Sequence, residues 1–282
     1  MSCVKEPDIK DILINALAED IGAGDITTEA VIPADKFVNS LLLAKEDCVI
    51  CGLGEARVIF GLRDKKVKFT PLAKEGARVK KGRAIARISG KARSILTAER
   101  VALNFLSLLS GIATATREYV DAVKPREVKI IDTRKTIPGL RILEKYAVRI
   151  GGGFNHRLSL DEMVMVKDNH LKVIGGHKKL TKLSRRYKSE IEVEDLTGFK
   201  DALKLNPDII MLDNMSIENM KKAVGIRNNL SSKANRPTPR LEASGNITLK
   251  NVKKVASCGV DMISVGALTH SVKSVDISLE IL

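Results

Sequence analysis

The first ninety residues alternate between one helical pattern and several short β-like runs. Apolar residues recur at helical spacing over residues 7–20, with Pro7 near the first turn and glycines at positions 22 and 24 just beyond the end. This spacing predicts an amphipathic helix. From Lys36 to Ser89 the pattern changes to the runs VNSLLLA, KVKFTPL and AIARI, which are divided by Gly-containing turns. These runs predict a separate sheet.

Residues 97–123 follow, and their apolar pattern predicts a helix that is buried on most sides in its first half. We expect an interruption near Ser110 and Gly111. Arg100 lies near the start of this helix, where a guanidinium close to apolar packing needs an anionic partner. Glu99 is one candidate partner, through a salt bridge, and an anionic ligand is another.

Beyond Pro125 the pattern becomes a repeated strand and helix, at intervals of roughly 20 to 35 residues, which favours parallel βα units over a sandwich. We therefore predict a barrel or partial barrel. Six strand candidates are centred near Ile130, Val164, Val193, Ile210, Ala243 and Ile263.

Cations follow the first two of these strands. The run EVKIID precedes Arg134 and Lys135, the run MVMV precedes Lys167, and Arg157 lies between them in the sequence GGGFNHR. Ligands in α/β folds bind at the C-terminal ends of the strands. The cations therefore predict a site for a polyanion.

Acidic residues mark the next two strands. Glu192 and Glu194 in EIEVED have period-two spacing and should point to one side of a strand, and Asp213 ends the run DIIMLD. Salt bridges with nearby lysines would also explain single acids. Carboxylates opposite a cation cluster favour Mg²⁺ shared with substrate phosphates. Glu192 and Asp213 are the first candidates for its ligands, and the sequence leaves open which of Glu192, Glu194 and Asp213 binds the metal.

Two short glycine motifs, SGN and SVGA, follow the last two strands. Loops in this position of β/α barrels commonly bind phosphate through backbone N–H groups, although a tight turn would also use glycine. The residues predicted to bind phosphate are Ser244, Gly245, Asn246, Ser264, Val265 and Gly266.

The composition limits the classes of ligand that the protein is expected to bind. The formal net charge of +14 suits a nucleic-acid ligand, but aromatic residues make up 3% and Trp is absent, so base-stacking platforms are lacking. We expect a small anionic substrate and no nucleic acid. Cys48 and Cys51 form a CxxC, yet no second pair at metal-ligand spacing exists, which favours a structural role.

The N-terminus lacks the apolar core of a signal peptide, and no run approaches 18 apolar residues. We therefore expect a cytoplasmic protein that does not bind membranes.

The longest motif, DTRKTIPGLRILEKYAVRIGGGFNHR followed by MVMVKDNH, resembles the quinolinate phosphoribosyltransferase (decarboxylating) family of NAD biosynthesis. AEDIGAGDITTEAVIP, AERVALNFLSLLSGIAT, LEASGNI and ISVGALTHS extend the resemblance over nearly the whole chain. The resemblance implies an α/β fold in which an N-terminal α/β sandwich domain, residues 1–110, precedes an incomplete, open α/β barrel of about seven strands, residues 111–270. Residues 271–282 would pack back on the first domain.

The resemblance also implies a reaction between quinolinate and 5-phosphoribosyl 1-pyrophosphate with Mg²⁺, in a homodimer with shared active sites that allows a hexamer. Arg100 would reach the partner's site. Lys135, Lys167, Glu192 and Asp213 would be catalytic. The substrate-binding set would be Arg100, Thr133, Arg134, Lys135, His156, Arg157, Lys167, Glu192, Asp213 and the residues of the two glycine motifs.

Two alternatives stay open at this point. A molybdenum-associated pyrophosphorylase-like relative shares the RKT-PG core, and a non-catalytic basic barrel that binds RNA or polyphosphate would explain the charge. His156 and His170 are candidates for general acids, or for donors to the backbone.

Overall fold

The computed structural model describes residues 9–180, 186–233 and 238–282. Helices and strands alternate along these residues. The helices are α1 Ile9–Ile21, α2 Ile26–Val31, α3 Leu53–Arg63, α4 Ala92–Val123, α5 Arg141–Ile150, α6 Asp168–Ile174, α7 Leu196–Leu205, α8 Ile217–Lys233, α9 Val252–Ala256 and α10 Ala267–His270. The strands are β1 Phe37–Ala44, β2 Cys48–Val49, β3 Lys68–Pro71, β4 Arg78–Val79, β5 Ala84–Lys91, β6 Lys129–Ile131, β7 Val164–Val166, β8 Ser189–Val193, β9 Ile209–Asp213, β10 Arg240–Ser244, β11 Met262–Ser264 and β12 Ile277–Ile281.

The chain divides into two compact units. The first contains residues 1–117, 136–152 and 271–282, and the second contains residues 118–135 and 153–270. Helix α4 continues as one helix through residue 110, after which the boundary between the two domains was expected. Residues 136–152, which include α5, lie in the first unit rather than in the second.

The first unit is built on a four-stranded antiparallel sheet in the order β12-β1-β5-β3. The C-terminal strand β12 joins this sheet by pairing with β1, with Leu42 opposite Leu279. Helices α1 and α3 pack against each other, and α3 also contacts β3. Fully buried side chains such as Phe60, Ile85 and Ile88 form the core, and burial of each such side chain stabilises the fold by roughly 1.5–3 kcal/mol.

The predicted interruption of the long helix is wrong, because α4 runs without a break through Ser110 and Gly111. A methyl group at position 111 would collide with the carbonyl oxygen of Lys273, and Ser110 Oγ donates to the carbonyl oxygen of Cys51. These residues are small so that backbone segments can approach the helix, not because the helix ends there.

Helix α4 is also long and apolar enough to cross a membrane by length and composition. About 67% of its most apolar window is buried inside the protein. That degree of burial is typical of a core helix.

The second unit contains a six-stranded parallel sheet in the order β6-β11-β10-β9-β8-β7. The six strands match the six candidates from the sequence. Neighbouring registers align the C-terminal ends, since Ser244 pairs with Asp213 and Ser264 with Ile131. Within the described residues β6 and β7 do not pair with each other, so the sheet is open, with six strands where about seven were expected. All its C-terminal ends therefore face one rim.

Candidate active site

A cavity of about 460 Å³ opens where the strands of the parallel sheet end. The loop after β6, the NHR segment and the start of α6 each bring cations to it, while β8, β9 and β10 bring carboxylates. Its lining residues are Asp132, Thr133, Arg134, Lys135, His156, Arg157, Met165, Lys167, Glu192, Met211, Asp213, Glu242, Ser244 and Ser264. The four cations selected from the sequence therefore share one cavity with Glu192 and Asp213.

Lys167 and Glu192 form a direct ion pair in this cavity. Lys167 Nζ lies 2.8 Å from Glu192 Oε2, and 43% of the lysine side chain is exposed against 9% of the glutamate side chain. The lysine follows β7 and the glutamate lies on the neighbouring strand β8. The pair fixes one carboxylate oxygen of Glu192 and leaves the lysine accessible to a ligand.

Asp132 organises the loop that carries Arg157. This fully buried residue follows β6, and its carboxylate accepts hydrogen bonds from Asn155 Nδ2 and from the backbone N–H of His156, the latter at 2.8 Å. Sequence reasoning assigned no role to Asp132. Its position directly before the cationic TRK segment was the available signal, because a buried acid at a strand end needs donors.

His156 uses both of its ring nitrogens inside the protein. Nδ1 accepts the backbone N–H of Arg157 at 2.8 Å, and Nε2 lies 2.9 Å from Glu190 Oε2 and 3.5 Å from Glu242 Oε2. Because Nδ1 is an acceptor, the ring proton belongs on Nε2, where it is donated to Glu190.

Glu190 and Glu242 are buried acids that sequence reasoning missed. Both side chains are fully buried, and within the described residues Oε1 of Glu190 and both oxygens of Glu242 make no hydrogen bond. Burial and the charge of Glu242 raise the pKa of Glu190 to about 7, against the effect of His156. Burial lowers the pKa of His156 and its contacts with the two carboxylates raise it. A second ring proton would have to sit on Nδ1, where it would break the hydrogen bond that Nδ1 accepts from the Arg157 N–H, so the geometry keeps Nδ1 unprotonated. The period-two spacing of Glu190 and Glu192 was the available signal.

The trio of His156, Glu190 and Glu242 has the composition of a metal site, since one ligand atom from each lies within 4.8 Å of the others. The hydrogen-bond pattern argues against this use. A metal would need the Nε2 lone pair, which requires the proton to move to Nδ1, and Nδ1 already accepts the Arg157 N–H. The geometry favours a hydrogen-bonded cluster.

Arg157 is anchored at its side chain as well. Its Nη1 donates to the carbonyl oxygen of Met163 at 2.8 Å. Burial and the positive charge of Arg134 lower the pKa of Arg157, and the charge of Glu190 opposes them. Two guanidiniums that repel each other at a cavity wall favour an anion between them, and their planar forks suit a carboxylate.

A second cavity of about 440 Å³ adjoins the first and shares Thr133, Lys135, Asp213, Ser244 and Ser264 with it. The remaining lining residues are Asn214, Gly245, Asn246, Ile247, Thr248, Gly266, Ala267 and His270. Most of the predicted phosphate-binding residues therefore lie together.

Left-handed backbone shapes the wall of this second cavity. Gly245 has φ +92°, and Asn214 and Asn246 also have positive φ. A side chain at position 245 would collide with Asn214, whose Nδ2 donates to Asp213 Oδ2 at 2.8 Å. Asn214 was missed by the sequence reasoning, although an Asn directly after a strand is a common left-handed residue.

Four selected residues, Val265, Glu194, His170 and Arg100, line neither of these two cavities. Val265 is buried, lines neither cavity, and its N–H donates to the carbonyl oxygen of Ile131. Glu194 is exposed and lines a separate cavity of about 590 Å³ together with Glu192. Because only Glu192 also lines the cavity of about 460 Å³, here called the cation-lined cavity, the two glutamates do not act together there. His170 Nδ1 accepts the backbone N–H of Lys167 at 2.9 Å.

Arg100 lies on α4 in the first unit, and its side chain is exposed. Burial raises the pKa of the neighbouring Glu99, and the charge of Arg100 lowers it. An exposed arginine beside an apolar helix face is available to a ligand or to another chain.

The CxxC cysteines are both buried. Burial raises the pKa of Cys48 to about 11 and raises that of Cys51 further. Because the thiolate is the reactive form, both thiols should be inert at neutral pH.

Comparisons with known proteins identify the family of the chain. The family model described as "Quinolinate phosphoribosyl transferase, C-terminal domain" matches residues 112–280, and the corresponding N-terminal domain matches residues 25–110. A relative from Synechocystis, named a probable nicotinate-nucleotide pyrophosphorylase [carboxylating], is 46% identical over 94% of this chain and 90% of its own length. A relative of the same activity name from Mycobacterium leprae is 40% identical over 96% of both chains.

Solved structures give the same result for the fold. NadC from Streptococcus pyogenes matches with a TM-score of 0.89 and 39% identity over the whole of both chains. The nicotinate-nucleotide pyrophosphorylase from Francisella tularensis matches with a TM-score of 0.88 and 38% identity, over 97% of this chain and 96% of that chain.

Proposed function

The chain belongs to the quinolinate phosphoribosyltransferase family, and on that premise we propose that it transfers the phosphoribosyl group of 5-phosphoribosyl 1-pyrophosphate to quinolinate. Carbon dioxide and pyrophosphate leave, and nicotinate mononucleotide forms as a step of NAD synthesis. The observation that carries the proposal is the single cavity lined by Arg134, Arg157 and Lys167 together with Glu192 and Asp213. Such a site binds a dianion and a phosphorylated partner together.

The pyridine dicarboxylate belongs at the cationic wall. Arg134 and Arg157 present planar donors that suit carboxylates, and Lys135 and Lys167 add mobile charges. Lys167 also faces Glu192 at 2.8 Å, so it can bind the substrate without losing its own partner. Together these cations orient the ring nitrogen towards the neighbouring cavity.

The phosphoribosyl donor belongs at the junction with the second cavity. Its 5-phosphate fits the left-handed loop around Gly245 and the loop at Gly266, both of which line that cavity. Asp213 lines both cavities and Glu192 lines the first, and both are carboxylates of the kind that Mg²⁺ binds. When bound, Mg²⁺ would neutralise the charge of the departing pyrophosphate.

The chemistry needs no protein nucleophile. The bond between ribose C1 and the pyrophosphate oxygen breaks, and the ring nitrogen of quinolinate forms a bond to C1. Asp213 or Glu192 stabilises the positive charge that develops on the ribose ring, and the cations hold both reactants in line. The pyridinium nitrogen then stabilises the electron pair left on C2 when the adjacent carboxylate leaves as CO₂, and a proton replaces it.

We further propose that two copies of the chain share their active sites, as a homodimer that can assemble into a hexamer. The support is Arg100, an exposed cation on α4 in a family whose substrate carries two carboxylates. We place the protein in the cytoplasm, although plant relatives are named as mitochondrial or chloroplastic.

The test uses purified protein with 5-phosphoribosyl 1-pyrophosphate, Mg²⁺ and either quinolinate or nicotinate, and follows mononucleotide and CO₂. We expect turnover of quinolinate with one CO₂ per mononucleotide, and loss of turnover when Mg²⁺ is chelated. Turnover of nicotinate without quinolinate turnover would refute the substrate assignment. Salt-sensitive RNA binding without any turnover would support the basic-barrel alternative.

The donor subsite has its own test. Gly245→Ala would place a methyl group against Asn214 in a left-handed backbone, so it should raise the KM for the phosphoribosyl donor far more than that for quinolinate. Gly82→Ala also changes a glycine with φ +82°, but in a turn with open space around it, and it controls for backbone strain. Equal effects of the two substitutions would contradict the assignment.

A further inference from the structure

His156 differs from the other basic residues around the cation-lined cavity because its ring has no unused nitrogen. Nδ1 accepts from the Arg157 backbone, and Nε2 faces Glu190 at 2.9 Å and Glu242 at 3.5 Å. A direct hydrogen bond from His156 to a substrate would have to break one of these contacts in a buried setting. The ring is therefore placed to form hydrogen bonds within the protein and not with a ligand.

What the ring holds is the main chain of Arg157. The preceding N–H, that of His156, donates to Asp132 at 2.8 Å, so two successive backbone donors are fixed. At its other end Arg157 is fixed through Nη1, which donates to the carbonyl oxygen of Met163. The guanidinium that lines the cavity is thus anchored on both sides.

We infer that Glu190 and Glu242 are positioning residues: they hold His156 in one orientation and tautomer, and His156 in turn fixes the backbone of Arg157, whose guanidinium receives a substrate carboxylate. The inference rests on the proposed function for the identity of that anion. Glu190 and Glu242 act through His156 and do not touch the reacting atoms.

Acidic residues suit this task better than neutral acceptors for two reasons. A carboxylate has no N–H that could donate to Nε2, so it enforces the tautomer in which Nε2 carries the proton and Nδ1 accepts. The negative charge also balances the two guanidiniums of Arg134 and Arg157, which repel each other before a ligand arrives. Both glutamates are fully buried, which keeps water from replacing them.

Two substitutions at His156 distinguish a role in fixing the Arg157 backbone from a role in binding the ligand directly. In His156→Asn, Oδ1 takes the place of Nδ1 and can still accept the Arg157 N–H, whereas in His156→Gln, Nε2 takes the place of the ring Nε2 and can still donate to Glu190. We expect the Gln variant to raise the quinolinate KM about 10- to 100-fold and the Asn variant by about 10-fold less, with the phosphoribosyl-donor KM unchanged in both. A Gln variant that performs as well as the Asn variant or better would overturn the inference.

The carboxylates have a matched control. Glu144 is another fully buried glutamate with one oxygen that makes no hydrogen bond among the described residues, and it lies in the first unit. Glu190→Leu should raise the quinolinate KM about tenfold or more, Glu190→Gln should recover part of that loss because an acceptor for His156 Nε2 returns, and Glu144→Gln should leave the KM unchanged. Equal losses in Glu190→Leu and Glu190→Gln would contradict a role through hydrogen bonding.

The wild-type protein provides a measurement that does not depend on variant folding. ¹⁵N spectra of the His156 ring should show an unprotonated Nδ1 and a protonated Nε2, and saturating quinolinate should leave both signals in place. A doubly protonated ring, or an Nε2 signal that moves on quinolinate binding, would refute the inference. Absence of quinolinate turnover by the wild type would instead refute the proposed function, and the ligand-free spectrum would still test the tautomer.

Discussion

Replacement of Lys167 by methionine tests whether the cation at the end of β7 binds the substrate or only supports the fold. Methionine keeps the unbranched side chain up to Cε but removes the charged Nζ that faces Glu192 at 2.8 Å. Removal of one preorganised charged donor costs on the order of 2 to 4 kcal/mol in transition-state binding. We therefore expect kcat/KM for quinolinate to fall about 30- to 700-fold.

The variant should stay folded although activity is lost. The lysine side chain is 43% exposed, but that of Glu192 is 9% exposed, and removing a partner from a buried polar group costs about 1 to 3 kcal/mol. Urea denaturation of the variant should therefore lower the free energy of unfolding by no more than about 3 kcal/mol. A loss of activity that simply follows a loss of folded protein would contradict the assignment.

Lys172 offers a matched control on α6. Its Nζ also lies 2.8 Å from a carboxylate, that of Asp168, but the pair is more exposed and does not line the cation-lined cavity. Lys172→Met should leave kcat/KM unchanged. If Lys167→Met stays within threefold of the wild type, or if both variants lose activity equally, the reasoning is refuted.

Three further predictions concern packing, pH and assembly. Gly111→Ala should lower the thermal midpoint because the added methyl group meets a backbone carbonyl, whereas Gly61→Ala on α3, with open space around it, should leave the midpoint unchanged or raise it. Burial raises the pKa of Glu144 to about 7. The stabilisation that comes from its protonated form in the folded protein is therefore complete below pH 4.5 and is lost as the pH rises through 7. Thermal melts should show Glu144→Gln gaining stability relative to the wild type across that range, by up to about 3 kcal/mol. Arg100→Ala and Lys167→Ala proteins, each nearly inactive, should regain activity when mixed if sites are shared, and verified subunit exchange without recovery would exclude sharing.

The sequence by itself determined the elements and most of the chemical groups. Strand-length runs rich in apolar residues located all six strands of the parallel sheet, because parallel strands are covered on both faces, even though β8 and β10 also carry the buried acids Glu190, Glu192 and Glu242. Because parallel strands present their C-terminal ends at one rim, the same runs indicated where Arg134, Lys167 and Asp213 would gather. Local pattern was sufficient wherever one strand and its following residue carried the information.

Tertiary structure decided what depends on contacts between distant segments. Gly111 was interpreted as a helix break, since the sequence does not show that the C-terminal segment passes over that position. Glu190 and Glu242 were missed for the same reason: an acid on a buried strand has no visible partner until the fold brings His156 to it. Spacing along the chain fixes which face a side chain lies on, but only packing fixes which hydrogen bonds are already occupied.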